Sequence, residues 1–95
     1  MNPLYLIAEI HPDPSKLDQA RAAYQELILE TLKEPGCLLY DLVAEEDSST
    51  WFMLEKWQSR ADWELHMETE HVKHINQTSA AFSSKETRLR FLTNV

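Results

Sequence analysis

The chain has 95 residues, 43% apolar and 26% charged, a composition typical of one ordered globular domain over residues 1–95 and not of a disordered tail. Sixteen acidic against nine basic side chains give a net charge of −7, which opposes contact with phosphate and argues against nucleic acid as a partner. A single cysteine, Cys37, permits no intrachain disulfide and favours a cytoplasmic location, and no apolar run reaches the roughly 18 residues of a membrane span. Glu9 also interrupts the apolar run that a secretory signal at the amino terminus would need.

The first predicted element is a strand over residues 4–10, a β-rich apolar run that a proline-rich stretch ends. Ser15 is predicted to cap a helix of four to five turns. Residues that could form its buried face recur at three- and four-residue spacing: Leu17, Ala20, Tyr24, Leu27 and Thr31. We expect the segment Lys33-Glu34-Pro35-Gly36 to end this helix, Gly36 through the positive φ that glycine tolerates.

The middle of the chain predicts a β-hairpin. Residues 37–44 and 50–57 are rich in aromatic and branched side chains, and the polar segment 45–49 has the length of a hairpin turn. The remaining predicted elements are a short helix capped by Ser59, a helical stretch over 71–82, a polar turn over 83–86 and a last strand over 87–95.

The predicted order β-α-β-β-α-α-β favours an α+β sandwich with helices on one face of an antiparallel sheet. The strands carry large apolar side chains on both faces, for example Trp51 and Met53 on one and Phe52 and Leu54 on the other. Because a bare apolar face of that size seldom stays in water, we expect a homodimer.

Three groups of residues stand out together: Glu34-Pro35-Gly36-Cys37-Leu38 with Tyr40, then Phe52-Met53-Leu54-Glu55-Lys56-Trp57, then Ala61, His66 and His71-Val72. Their joint spacing resembles the antibiotic biosynthesis monooxygenase family, including its quinol monooxygenases, over nearly the whole chain. The resemblance implies a ferredoxin-like α+β fold, a dimeric α/β barrel, and oxidation of quinols or hydroxylated aromatics by O2 without metal, flavin or haem.

Such an oxygenase needs a base beside an apolar pocket, because a hydroxyarene gives electrons to O2 more readily once a hydroxyl is deprotonated. Histidine titrates near neutrality and can accept that proton. His66, where the family pattern has a histidine, is the first candidate and His71 the second. Either could instead be structural, His66 as a helix-end cap bonded to a backbone carbonyl and His71 as a packing residue at a helix start.

A carboxylate on an apolar strand row must be paired or have a raised pKa, and Glu55 is such a carboxylate. We expect it to orient a histidine or bind a substrate hydroxyl, or alternatively to form a cross-strand ion pair with Arg88 or Arg90. Four side chains could wall an aromatic pocket or form plain core: Trp57, Trp63, Met67 and Phe82.

We expect no metal site, because the histidines at 66, 71 and 74 lack a recognised zinc signature, and we expect no cofactor. Cys37 is expected to be an inert small residue, since no basic residue adjoins it. The predicted function is a cofactor-independent monooxygenase of a small hydroxylated aromatic. An isomerase of a small hydroxyketone and a dimeric binding protein without catalysis remain open, whereas haem degradation is disfavoured because that branch carries a tryptophan at the position of His66.

Overall fold

The computed structural model describes residues 2–95 as a four-stranded antiparallel sheet with its helices packed on one face. The strand order is β2-β3-β1-β4, so β1 and β3 are central. The elements are β1 (Leu4–Pro12), α1 (Leu17–Thr31), β2 (Cys37–Ala44), β3 (Trp51–Trp57), α2 (Arg60–Met67), α3 (Glu70–Thr78) and β4 (Ser83–Leu92). The predicted α+β architecture and its element order are confirmed. No helix within residues 2–95 is long and apolar enough to cross a membrane.

The core lies between the sheet and the helices. Residues of β1 and β3 alternate between buried and half-buried, so one face of each central strand packs inward. The helices contribute Ala20, Tyr24, Leu27, Val72 and Ile75 to the same buried cluster. Each fully buried aliphatic or aromatic side chain stabilises the fold by about 1.5–3 kcal/mol, so this shared cluster fixes the helices against the sheet.

The start of α1 differs from the prediction. The helix begins at Leu17, and Lys16 stands at its N-cap without a side-chain cap bond. Ser15 lies instead in a 3-10 turn over Pro14–Lys16, where the Asp13 carboxylate accepts a hydrogen bond of 2.9 Å from the Ser15 backbone N–H. The predicted cap at Ser15 is therefore wrong, because Asp13 takes that role for a preceding turn.

The last part of the chain also differs. α3 ends at Thr78, a 3-10 turn over Ser79–Phe82 follows, and β4 begins at Ser83 and ends at Leu92. The polar residues predicted as a turn thus form the first part of a strand, paired with the end of β1 through Pro12 and Ser83. β4 lies at the sheet edge and is mostly exposed, so polar side chains are tolerated there.

Gly36 connects α1 to β2, but it does not have the positive φ that we expected. It is buried, and a Cβ added to it would lie 2.4 Å from both Cβ and Cγ of Asp62. Its carbonyl also accepts a hydrogen bond of 2.9 Å from the Gln58 backbone N–H. The glycine is required for this close approach between the connection and the start of α2, a tertiary contact that local sequence does not reveal.

Gly36→Ala should therefore destabilise the protein by about 1–3 kcal/mol, the usual cost of forcing extra volume into a packed site. Urea unfolding followed by circular dichroism measures the change in the free energy of unfolding. The exposed Lys33→Ala should stay within about 0.5 kcal/mol and serves as the control. An unchanged midpoint for Gly36→Ala would mean that the connection moves away from Asp62 at no cost.

Candidate active site

A cavity of about 190 Å³ lies between the sheet and the helices. Most of its walls are apolar, with Leu6, Met53 and Leu89 from the sheet and Val72 and Ile75 from α3. Its lining also contains a few polar residues: Tyr24, Tyr40, Glu55, His66, Asn76, Ser79 and Thr87. A mostly apolar cavity with a few convergent polar groups is the usual form of a small-molecule site.

His66 is the most buried titratable residue in this lining, with 3% of its surface exposed. It occupies the last turn of α2, and its ring packs on Trp57 with centroids 4.5 Å apart and on Tyr40 at 5.5 Å. Its Nδ1 lies 2.7 Å from Oε2 of Glu34. The imidazole is therefore held by a carboxylate and two aromatic rings, and not by the backbone carbonyl of the structural alternative.

Glu34 is a site residue that the sequence interpretation missed. The same oxygen, Oε2, lies 2.7 Å from Nδ1 of His66 and 2.8 Å from Nε2 of His71. Glu34 follows α1 in the segment that we assigned only to helix termination, although it opens the run that carries the family resemblance. Since its two partners lie 32 and 37 residues away, chain spacing gave no sign that the three side chains meet.

The carboxylate fixes the tautomer of His66. A carboxylate oxygen accepts, so Nδ1 donates its proton to Glu34 and the other ring nitrogen, Nε2, carries the lone pair. Burial lowers the pKa of His66 below its ordinary value, an effect that Glu34 opposes and that the nearby His71 reinforces. The ring is therefore neutral at neutral pH and able to accept a proton.

His71 lies in the first turn of α3 and does not line the cavity. Its side chain is 20% exposed and borders a separate groove of about 330 Å³ between α1 and α3. The structure thus joins the two predicted histidines through Glu34, one facing the cavity and the other facing the groove.

Glu55 lies on the inner face of β3, opposite Leu6 of β1 and Tyr40 of β2, and lines the cavity. Its Oε1 accepts a hydrogen bond of 3.0 Å from Nε1 of Trp57. Burial raises the pKa of Glu55 to about 7, with a smaller contribution from the charge of Glu34, while the bond from Trp57 acts in the opposite direction. The carboxyl group of Glu55 therefore changes between its protonated and its charged form near neutral pH.

The alternative ion pair of Glu55 with Arg88 or Arg90 is wrong. β1 lies between β3 and β4, so these strands are not neighbours. Arg90 instead binds Glu9, with Nη2 and Oε1 2.6 Å apart. Glu55 faces the core, where the indole of Trp57 is its hydrogen-bond partner.

The four apolar candidates divide into two pairs. Trp63 and Met67 of α2 line the cavity, and the ring of Phe91 packs edge-on against Trp63 with centroids 5.0 Å apart. Trp57 is fully buried beneath His66, and Phe82 packs on Tyr24 at 6.0 Å; neither lines the cavity. Trp57 and Phe82 thus support the site from the core and do not form its walls.

Cys37 is half-buried at the start of β2. Burial raises the pKa of its thiol to about 11, and the charges of Glu34 and Glu55 act in the same direction. The thiol is therefore protonated at neutral pH and is a poor nucleophile, as the sequence led us to expect.

The raised pKa of Glu55 predicts a pH-dependent stability. The folded protein holds the Glu55 proton up to about pH 7, whereas the unfolded chain releases it near pH 4.5. The stabilising contribution of protonated Glu55 to the free energy of unfolding is therefore full below pH 4.5 and is lost as pH rises through 7. Relative to Glu55→Gln, the wild type should lose about 3 kcal/mol across this range. Urea unfolding of both proteins from pH 4.5 to 8 measures the difference; parallel curves would contradict the prediction.

The sequence model of the family described as antibiotic biosynthesis monooxygenase matches residues 3–78, most of the chain. The chain belongs to this family. The matched region contains Glu34, Glu55, His66 and His71, and it ends before Phe82 and β4. The family that the sequence resembled is therefore confirmed.

Relatives of the antibiotic biosynthesis monooxygenase family agree in sequence and in fold. A Mycobacterium tuberculosis protein named "Putative monooxygenase Rv0793" is 30% identical over 70 residues, covering 74% of this chain and 69% of its own. The crystal structure of a conserved protein from Methanosarcina mazei Go1 has a TM-score of 0.94 and 27% identity, covering 100% of this chain and 95% of its own. The crystal structure of PA3566 from Pseudomonas aeruginosa has a TM-score of 0.91 and 27% identity, covering 100% of this chain and 96% of its own.

Proposed function

We propose that the protein is a cofactor-independent monooxygenase that oxidises a small electron-rich hydroxyarene, such as a quinol, with O2. The observation that carries this proposal is His66, a buried neutral imidazole that lines an apolar cavity while Glu34 holds its Nδ1 at 2.7 Å. A base oriented in this way is what deprotonation of a bound hydroxyl requires.

In the proposed reaction, Nε2 of His66 accepts the proton of a substrate hydroxyl. The resulting anion gives electrons to O2, and a bond forms between a ring carbon and one oxygen atom. Loss of the hydrogen on that carbon then accompanies cleavage of the O–O bond, leaving a new carbonyl on the ring. The second oxygen atom takes this hydrogen and the proton held by His66 and departs as water, so the imidazole returns to its initial state.

The remaining residues of the cavity set the kind of substrate. Glu55 lies in the same lining as His66 and, with a pKa near 7, can donate to or accept from a second hydroxyl. Trp63 and Met67 provide apolar contacts for an aromatic ring. A volume of about 190 Å³ favours a single ring, since a cavity of roughly 150 Å³ holds benzene.

Among residues 2–95, neither a lysine nor an arginine lines the cavity. A phosphorylated hydroxyketone would leave its phosphate without a cationic partner there, so a neutral hydroxyarene fits this lining better than the substrate of such an isomerase. Oxygen dependence separates the two reactions, because isomerisation proceeds without O2.

Oxygen uptake by the chelator-treated protein tests the proposed function. A panel of one-ring quinols and two-ring hydroxynaphthalenes, corrected for autoxidation, should give protein-dependent uptake that is greatest for the one-ring compounds. Substrate conversion that continues under nitrogen would favour the isomerase. Absence of uptake and conversion with every compound would contradict an enzymatic role for this cavity with that substrate class.

We also propose that the chain is a single-domain cytoplasmic protein that works as a homodimer through the outer face of its sheet. This face lies opposite the helices and carries Tyr5, Ile7, Phe52 and Leu54, all half-buried in the single chain, with the exposed Val43 beside them. A second copy would remove this apolar surface from water.

Leu54→Glu should accordingly convert the homodimer to a monomer, because the interface would bury two uncompensated carboxylates, one from each copy, related by the two-fold axis. Light scattering at micromolar concentration measures the mass. Leu29→Glu, at an exposed leucine of α1, is the matched control and should leave the mass unchanged. A wild-type mass of one chain would contradict the proposed assembly.

A further inference from the structure

We propose that Glu34, His66 and His71 form a binding site for a divalent transition-metal ion such as Zn²⁺, and that the bound ion inhibits the enzyme. The inhibition rests on the function proposed for His66, whereas the binding does not. The site would make the cavity sensitive to metal availability without giving the metal a catalytic role.

The three donor groups are of the kind that zinc prefers, two imidazoles and one carboxylate. Their nitrogen and oxygen atoms all lie within 4.8 Å of one another, and Oε2 of Glu34 is 2.7 Å from His66 and 2.8 Å from His71. Zinc lies about 2.0–2.2 Å from such donors, which spaces neighbouring donors of a four-coordinate ion by roughly 3.3–3.5 Å. The ion would therefore replace the two N–H protons after two adjustments of the side chains. The carboxylate oxygen would move roughly 0.6 Å away from each nitrogen, and the two ring nitrogens, which lie within 4.8 Å of each other, would approach by up to about 1.4 Å.

The backbone around the two histidines is already fixed. Thr69 lies between α2 and α3, and its backbone N–H and Oγ1 both donate to the carbonyl of His66, at 3.1 and 2.7 Å. The same Oγ1 caps α3 by accepting from the Val72 N–H. The short connection thus holds His66 and His71 in one geometry, with ring centroids 6.0 Å apart, and little chain ordering remains for metal binding to bring about.

An ion can reach the site through the groove between α1 and α3. This groove has a volume of about 330 Å³, borders His71 and is lined by three carboxylates, Glu26, Glu30 and Glu70. Together with a net charge of −7, these side chains favour the approach of cations. His74 lines the groove as well but is not among the three clustered donors.

Metal binding would change the chemistry on the other side of His66. A neutral imidazole that coordinates through Nδ1 keeps its proton on Nε2, so the nitrogen assigned to the substrate becomes a donor. The base would be blocked although the apolar walls of the cavity remain in place. We therefore expect Zn²⁺ to lower the rate of oxygen uptake and a chelator to restore it.

Isothermal titration calorimetry of the chelator-stripped full-length protein with Zn²⁺ tests the binding directly. We expect one ion per chain, and a loss of affinity in Glu34→Gln and His71→Gln of at least the ~10–100-fold seen when a metal site loses a supporting group. His74→Gln, on the same helix, should bind like the wild type. Titration with Co²⁺ should produce visible absorption bands with the same stoichiometry, and thermal unfolding monitors whether each variant is folded.

Three results would overturn the proposed site: the wild type takes up no ion, His71→Gln binds as tightly as the wild type, or His74→Gln loses as much affinity as His71→Gln. Calorimetry needs no substrate, so binding without any oxygenase activity would retain the metal site and remove only the proposed function. Full oxygenase activity without Zn²⁺ binding would remove only the metal site.

Discussion

His66→Ala should lower kcat for a good hydroxyarene substrate by roughly 10²–10⁴-fold, the range that a positioned general base contributes. KM should change little, because Glu55, Trp63 and Met67 still line the cavity. A fall in kcat at constant KM would place the contribution of His66 in the chemical step.

Steady-state oxygen uptake over a range of substrate concentrations measures both constants. The removed ring leaves space against Trp57 and Tyr40, so added imidazole should recover part of the rate in His66→Ala. His74→Ala, at an exposed position of α3, should keep the wild-type rate. Wild-type turnover by His66→Ala would remove the histidine from the proposed reaction.

The second large effect concerns stability. Trp57→Ala should lower the free energy of unfolding by about 3–5 kcal/mol, the usual cost of deleting a fully buried aromatic side chain. Trp57 has no exposed surface and contacts the rings of Tyr40 and His66. Its indole also donates the hydrogen bond to Glu55, which would be left buried without this partner. Such a loss is a large share of the 5–15 kcal/mol by which domains are usually stable.

Urea unfolding at pH 6 measures the loss, and Trp57→Phe separates its two causes. Phenylalanine keeps an apolar ring but lacks the N–H, so it should cost less than alanine, about 1–3 kcal/mol. Trp63→Ala, at a half-buried tryptophan on α2, is the matched control and should cost less than Trp57→Ala. If Trp57→Ala and Trp63→Ala lower the free energy of unfolding equally, the prediction that Trp57 contributes more to stability than Trp63 is wrong.

The sequence predicts well those elements in which the alternation of apolar and polar side chains follows which side chains are buried. β1 and β3 alternate in the structure as their side chains do in the sequence, and Ser59 caps α2 with its side chain accepting from the Asp62 N–H. The first half of β4 was predicted wrongly because this edge strand is exposed and needs no apolar alternation. The requirement for Gly36 was misread for a similar reason, since it comes from Asp62, a residue far along the chain.

The candidate site was predicted only in part. The residue types at His66, Glu55, Trp63 and Met67 indicated a base, a carboxylate and apolar walls, and the structure brings these four into one cavity lining. Glu34 was missed because its role depends on the turn after α1 folding against α2 and α3. Trp57 and Phe82 are aromatic residues of the kind that line binding pockets, but the geometry of β3 and of the turn after α3 directs their side chains into the core.

The sharing of Glu34 by two histidines has a consequence for folding kinetics. The contacts close chain segments of 32 and 37 residues, so no isolated hairpin or helix pair can form them. Contacts between residues so distant in sequence incur loop-closure entropy and belong to the slower class of folding events. During refolding, His66 therefore acquires its orientation toward Glu34 only when α1, α2 and α3 have docked together. Recovery of turnover in the proposed reaction should accordingly report that docking more directly than recovery of helix content does.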